Sequence, residues 1–221
     1  MSANRRRLDR QDDGRRAALI AAAGQVIARD GIVAATTRRI ADEAQLPLGT
    51  VHYWFSSKEE LLEEVLTSAL RELQLPGGND TPSAPIKSLL DGFRETWPAV
   101  ESDDRGRQIG IYELTTMAMR NPNMNDLSIR QYRRYRESAA VVAKQILPDH
   151  SNHLPGGEEA LAQLLSVVFD GTVLAWLADP EGTRPDAIFV LLDYLLKNIS
   201  TGEHIEVSNI SSDDPNSGNI D

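Results

Sequence analysis

The sequence predicts an all-α protein, with a small N-terminal three-helix domain ahead of a larger helical body. Three observations carry that prediction. Residues 36–58, TTRRIADEAQLPLGTVHYWFSSK, place two short helical patterns on either side of a tight turn and follow them at once with a serine-capped charged helix. Beyond a Pro/Gly-rich break at residues 75–85, LPGGNDTPSAP, five further segments carry apolar residues at helical spacing. The last two of these hold more apolar surface than one core covers, which calls for a second surface against them.

Composition narrows the class. A chain of 221 residues is long enough to bury a substantial core. It has no cysteine, which excludes a disulfide framework and a thiolate metal site and fits a reducing, cytoplasmic setting. The opening residues, MSANRRRLDRQDDGRR, are basic and polar with no apolar run behind them, so they do not form a secretory signal. The formal net charge of -10 is spread unevenly. Residues 1–60 carry ten Lys/Arg against eight Asp/Glu, whereas residues 61–221 carry 13 against 25. A cationic end on an acidic body meets phosphate at that end alone, because Coulomb attraction and counterion release act at the contact.

Taken in order, Arg5, Arg6, Arg7 and Arg10 form a flexible arm, either a phosphate or minor-groove tether or a solvated terminus. A helix from about Asp13 to Arg29 has Ile20, Ala23 and Ile27 at helical spacing and ends at Gly31. Thr36 or Thr37 caps the next, Arg38 to Ala44, whose Ile40, Ala41 and Ala44 make a narrow face for close packing. Gln45-Leu46-Pro47 breaks it, and Pro47 suits the first turn of a helix reaching Phe55. There Val51 and Phe55 face inward with Leu46, leaving Leu48, Gly49, Thr50, His52, Tyr53 and Trp54 nearer the outside. Exposed aromatics on so short a helix need a partner. Ser57 with Glu60 is a capping box that opens a helix to Leu73 and joins the two halves.

In the body, Ile86, Leu89, Leu90, Phe93 and Trp97 form an apolar stripe. A helix from about Asp103 to Arg120 follows, broken by Asn121-Pro122. From about Asn125 to Leu147, Tyr132, Tyr135, Ala139, Val142 and Ile146 share one face, with Arg133, Arg134 and Arg136 largely off it. Residues from about Glu158 to Ala178 are apolar nearly all round. Asp170 at their centre would cost about 2.5–3.5 kcal/mol in a bilayer, and the flanks lack basic and aromatic belts, so burial in protein is expected and no membrane. Leu161, Leu164, Leu165, Val168 and Ala175 are assigned to the home core, and Phe169, Val173 and Trp176 to a second surface. The last helix, about Pro185 to Asn198, repeats the excess with Ile188, Phe189, Val190, Leu191, Leu192, Leu195 and Leu196. A two-fold, four-helix dimer interface covers both. Residues 201–221 read as an acidic, disordered tail.

The motifs T-T-x-x-x-I-A-x-x-A, L-P-x-G-T-V-x-x-x-F and S-K-E-E-L-L, within residues of about 15–66, together resemble the TetR family of transcriptional regulators. The resemblance implies a DNA-binding helix-turn-helix domain at 1–57, with a ligand-binding and dimerisation domain at 58–200 ahead of the tail at 201–221. It further implies a ligand-responsive repressor that binds a palindromic duplex DNA operator as a homodimer through its last two long helices. Three positions depart from the family pattern. Gln45 stands where the turn usually has Gly, at a cost of about 1–2 kcal/mol if φ is positive there. Leu48 replaces a polar or basic residue, and His52 the commoner Tyr.

By the same resemblance the helix Pro47 to Phe55, with Gly49 and His52 on it, enters the major groove. Thr37, Thr50, Tyr53 and Lys58 are the expected phosphate partners. Arg38 reaches for guanine or serves as a plain phosphate contact, Leu48 offers apolar contact to a thymine methyl, and Trp54 is either a contact or a packing residue. In the body, Phe93, Trp97, Tyr112, Met117, Tyr135 and Phe169 are expected around an effector, with Glu113 or Asp170 fixing a polar or cationic group; ordinary core is the alternative for each. The helix Ser57 to Leu73 is the expected covalent lever between the sites. No cofactor, metal or enzymatic activity is expected, because no His-Glu-x-x-His, phosphate-cradling glycine loop, Gly-x-Ser-x-Gly or cysteine nucleophile is found, and His150 and His153 sit in a polar loop. A helical small-molecule-binding protein without operator binding is the alternative, one that leaves Tyr53, Trp54 and Lys58 unexplained.

Overall fold

Every regular element among residues 2–72, 89–146 and 154–200, which the computed structural model describes, is helical. Helix α1 spans Ser2–Asp30 and begins well before the expected start at Asp13. The stretch around Arg5, Arg6, Arg7 and Arg10 is therefore helical backbone and not a loose arm: arginine, leucine and glutamine are good helix formers, and Gly14 alone costs only about 1 kcal/mol. A 3-10 turn, Ile32–Ala34, leads to α2 (Thr37–Glu43), α3 (Leu48–Trp54) and α4 (Lys58–Glu72). The body follows as α5 (Leu89–Ser102), α6 (Arg105–Arg120), α7 (Asn125–Ile146), α8 (Gly157–Ala178) and α9 (Pro185–Ser200). The expected features at residues 75–85, Ile86, His150, His153 and residues 201–221 lie outside the described residues.

Local chemistry sets the helix ends. The Thr36 side chain accepts from the Arg39 N–H at 3.2 Å, which makes Thr36 the cap of α2. Its far end is a Schellman turn: the Leu46 N–H bonds to the Ala41 carbonyl and the Gln45 N–H to that of Asp42. Gln45 sits at φ 55, alone among the described non-glycine residues in having a positive φ. At α4 the Glu60 N–H donates to Ser57 Oγ, while the Glu60 carboxylate reaches back to the Ser56 N–H and hydroxyl at 2.7 and 2.6 Å. The capping box thus closes on the residue before Ser57, and these bonds hold the Glu60 carboxyl below its ordinary range.

Two cores result. The first joins Leu19, Val26 and Ile27 of α1 and Ile40 of α2 to Val51, Phe55, Leu61 and Leu66, and it continues into Leu114 and Ala118 of α6 and Leu127 of α7. Close approach of α6 to α1 depends on two glycines. A Cβ on Gly106 would stand 2.0 Å from the Ala28 carbonyl oxygen, and one on Gly110 2.6 Å from the Ile27 side chain. The second core gathers Leu89, Phe93 and Trp97 of α5, Val142 of α7, Leu161 and Leu165 of α8, and Phe189 and Leu196 of α9.

Helix α8 turns differently from the sequence expectation. Leu161 and Leu165 do face the body core, but Phe169, Val173 and Trp176 pack there with them, while Leu164 and Ala175 are exposed. An apolar helix without a polar face has no stripe to orient it, so aromatic packing against Trp97 and Phe189 decides which side is inside. A stretch of α8 passes the length and composition test for a membrane span, with a third of it buried here.

Candidate nucleic-acid and ligand sites

The outer face of the head is built by the turn after α2. Val51 and Phe55 are buried in the first core and fix the rotation of α3, leaving Pro47, Leu48, Gly49, His52 and Tyr53 exposed and Thr50 half-buried. Tyr53 is 73% exposed. Trp54 is different: half-buried, it packs against the first core and meets Tyr53 edge-on at 5.1 Å, because it lies three residues past Val51 on the same side of the helix. Thr37 and Lys58 are half-buried at the starts of α2 and α4.

The arginines nearby divide into two kinds. Arg29 grips both oxygens of Glu43 at 2.8 and 3.2 Å, and Arg39 holds Asp30 at 2.7 Å. The Arg29 guanidinium holds the half-buried Glu43 carboxyl below its usual range and is itself raised in turn. Arg38, exposed between them in sequence, forms no ion pair among the described residues. It is the arginine of α2 left able to extend outward.

The body holds a cavity of about 450 Å³ between α5, α6, α7, α8 and α9, within the size of small-molecule pockets. Phe93, Tyr112, Tyr135, Phe169 and Asp170 line it together. Trp97, 6% exposed, stands behind this wall, in ring contact with Phe93, Phe169 and Trp176. Phe189 stacks on Phe93 at 4.1 Å and completes the wall.

Polar groups converge on Asp170. The Tyr112 hydroxyl donates to Oδ1 at 2.9 Å and the Tyr132 hydroxyl to Oδ2 at 2.8 Å. Burial first, then the Asp170 charge, raises the Tyr112 phenol well above its ordinary range, and burial with the Asp170 hydrogen bond does the same for Tyr132. Both stay protonated donors. Burial pushes Tyr135 up to about 12. Its oxygen accepts from Gln131 Nε2 at 3.0 Å, and Gln131 Oε1 lies 2.8 Å from Thr115 Oγ1 on α6. Gln108, one turn before Tyr112, donates Nε2 to the Val100 carbonyl at 2.6 Å. Its Oε1 is buried without a donor among the described residues, at a cost of about 1–3 kcal/mol.

Two residues expected at the effector lie elsewhere. Glu113 accepts from the Ile32 N–H at 2.7 Å and faces Gly31, so it fastens α6 to the loop before α2. Met117, one turn on, packs against the first core. Both fall on the head-facing side of α6, whereas Gln108 and Tyr112 face the cavity and Ile111 stands between, lining the cavity and packing against the first core. Sequence reasoning had no signal for Gln108 or Phe189 as site residues. For Tyr132, its place on one face with Tyr135 was the available hint.

Among the described residues no cluster of His, Asp and Glu is arranged to hold a metal ion. Comparison with known proteins gives two family matches. Residues 19–65 match the family model for bacterial regulatory proteins of the tetR family, and residues 85–200 match the C-terminal model of BetI-type transcriptional repressors. The chain is similar to the nicotine-responsive transcriptional repressor HdnoR of Paenarthrobacter nicotinovorans, at 30% identity over 77% of this chain and 87% of that one. Its similarity to the transcriptional regulator BetI of Vibrio atlanticus is 26%, over 85% and 93%. In fold it is similar to the multidrug binding protein EbrR complexed with ethidium, with a TM-score of 0.64 and 23% identity over 82% and 98% of the two chains.

Proposed function

The chain belongs to the TetR family of transcriptional regulators and is a ligand-responsive DNA-binding protein rather than an enzyme; from that premise we propose that it is a repressor whose dimer grips a near-palindromic operator and releases it when an organic molecule fills the body cavity. The observation that carries this is the double duty of α6. One side lines the cavity through Gln108 and Tyr112, the other is locked to the head through Gly106, Gly110, Glu113 and Leu114, and Ile111 touches both. A ligand that moves α6 therefore acts on α1 and the loop before α2 directly, alongside the covalent path through α4. That differential contact is what linkage requires. The nicotine-responsive repressor and the ethidium-bound protein support an organic molecule as the effector.

In this reading the functional division is 1–57 for DNA and 58–200 for effector and dimer. Helix α3 enters the major groove, Thr37, Thr50, Tyr53 and Lys58 anchor phosphates, and Arg38 reads a base. The dimer seam is carried by α8 and α9. Exposed Ala160, Leu164, Val167, Gly171, Leu174 and Ala178 recur at alternating steps of four and three along α8, beside exposed Val190, Leu191, Tyr194 and Leu195 on α9. That period is the one a helix–helix seam uses. The protein works where the chromosome is, in the cytoplasm.

Duplex binding across a salt series tests the reading. Arg38→Ala is expected to lose about 1–3 kcal/mol on the selected operator and much less on random duplex, while Tyr53→Phe weakens both alike. Equal losses from the two variants on both duplexes would remove Arg38 as a reader. A compound that fills the cavity and leaves operator affinity unchanged would remove the coupling through α6.

A further inference from the structure

We propose that the effector is a protonated amine on an aromatic or other apolar body, a cation that still carries N–H groups, with Asp170 as its counter-ion and Gln108 as a second acceptor. The inference rests on the proposed effector role of the cavity and adds the chemistry of what enters it.

Charge comes first. The ionisable side chains of the cavity wall, beside its tyrosines, are Asp103, Arg107 and Asp170. Arg107 is paired with Asp103 at 3.3 Å. Asp170 is instead held by two neutral hydroxyls, one on each oxygen, which set the orientation of the carboxylate, and it has no cationic partner among the described residues. Each carboxylate oxygen has capacity for a further donor. A wall of Phe93, Phe169, Phe189 and Tyr135 beside that charge supplies aromatic surface to cover an apolar body.

The second observation is independent of charge. Gln108 lines the same cavity at 7% exposure, and its Oε1 has no hydrogen-bond donor among the described residues. The amide cannot be turned to relieve this, because its Nε2 is committed to the Val100 carbonyl, where an oxygen would face an oxygen. Oε1 is itself covered by the protein around it, so a ligand that donates satisfies it once the Gln108 side chain shifts toward the cavity. Asp170 already favours a protonated amine over a quaternary ammonium, because its open acceptor positions take an N–H; Gln108 adds a second acceptor that widens the preference.

The test uses the full-length protein, titrated calorimetrically with four probes on one ring system: 2-(1-naphthyl)ethylamine, its N,N,N-trimethylammonium analogue, 2-(1-naphthyl)ethanol and 1-naphthylacetate. The expected order is amine, then quaternary ion, then alcohol, then carboxylate, with the amine bound at least tenfold more tightly than the alcohol. Asp170→Asn is expected to weaken the amine at least tenfold and leave the alcohol within about twofold. Gln108→Leu is expected to narrow the gap between the amine and the quaternary ion without closing it. Equal or tighter binding of the alcohol or the carboxylate by the natural protein would overturn the proposal, and that comparison stands even where a variant does not fold. So would an Asp170→Asn protein, folded by its thermal transition, that binds the amine as before. DNA release is measured separately with the same amine. Binding without release would break the repressor coupling and leave the ligand chemistry intact, whereas release driven best by the alcohol would do the reverse.

Discussion

In the head core, Leu19, Val26, Ile40, Val51, Leu61, Leu62, Leu66, Leu114 and Leu127 are each sealed to below 2% exposure, whereas no large side chain of the body core reaches that level. The body packs aromatic rings around an opening of about 450 Å³. Branched aliphatic side chains interlock without voids and leave one arrangement, which suits a domain that must present α3 at a set angle. Rings around a cavity leave room for a ligand to choose among arrangements, which suits a domain that must respond. Helix α6 belongs to both, with Leu114 in one core and Tyr112 on the wall of the other.

The contrast can be broken most directly at Leu114. Leu114→Ala should cost about 2–5 kcal/mol, as truncation in a tight aliphatic core does, read from the shift of the denaturant midpoint. A loss below about 1 kcal/mol would mean that the head core ends before α6 and that the two cores are not joined there. A smaller effect is expected at Gly106, where the added methyl of Gly106→Ala meets the Ala28 carbonyl oxygen. Overpacking of this kind costs about 1–3 kcal/mol, and thermal unfolding together with operator affinity would register α6 being lifted from α1. If both stay unchanged, close contact between the two helices does not position the head. The smallest effect sharpens the turn itself: Gln45→Gly, at φ 55, should raise stability by about 1 kcal/mol while the fold of α2 and α3 is kept. No gain in the unfolding midpoint would show that the Gln45 backbone is unstrained in its left-handed position.

Much of the head was legible because its signals are local. Thr36, Ser57, Gly31 and Pro47 mark helix ends through bonds made within a few residues, and the positive φ at Gln45 follows from a turn that ordinarily takes glycine. Inward Val51 and Phe55 followed from helical period alone. The site residues were less legible. Arg38 and Arg39 are adjacent and identical in type, and only the fold brings Asp30 to one of them. Glu113 and Asp170 were equal candidates for the effector until α6 turned one toward Ile32 and α8 held the other between two tyrosines. On α8 the expectation held for Leu161 and Leu165 but failed for Leu164, Ala175, Phe169, Val173 and Trp176, since a helix apolar on every side carries no directional pattern.

What the sequence by itself determined is the all-helical class, the helix-turn-helix with its caps, and an excess of apolar surface in the last two helices. These depend on backbone geometry and on spacing, and both are written in neighbouring residues. Tertiary structure alone decided which arginine of α2 has no ion pair among the described residues, that Glu113 holds the loop before α2, and that Gln108 lines the cavity while Tyr132 holds Asp170 there. Those outcomes hang on contacts between residues far apart in the chain, where a side chain's partner is set by how whole helices pack and not by its own neighbours.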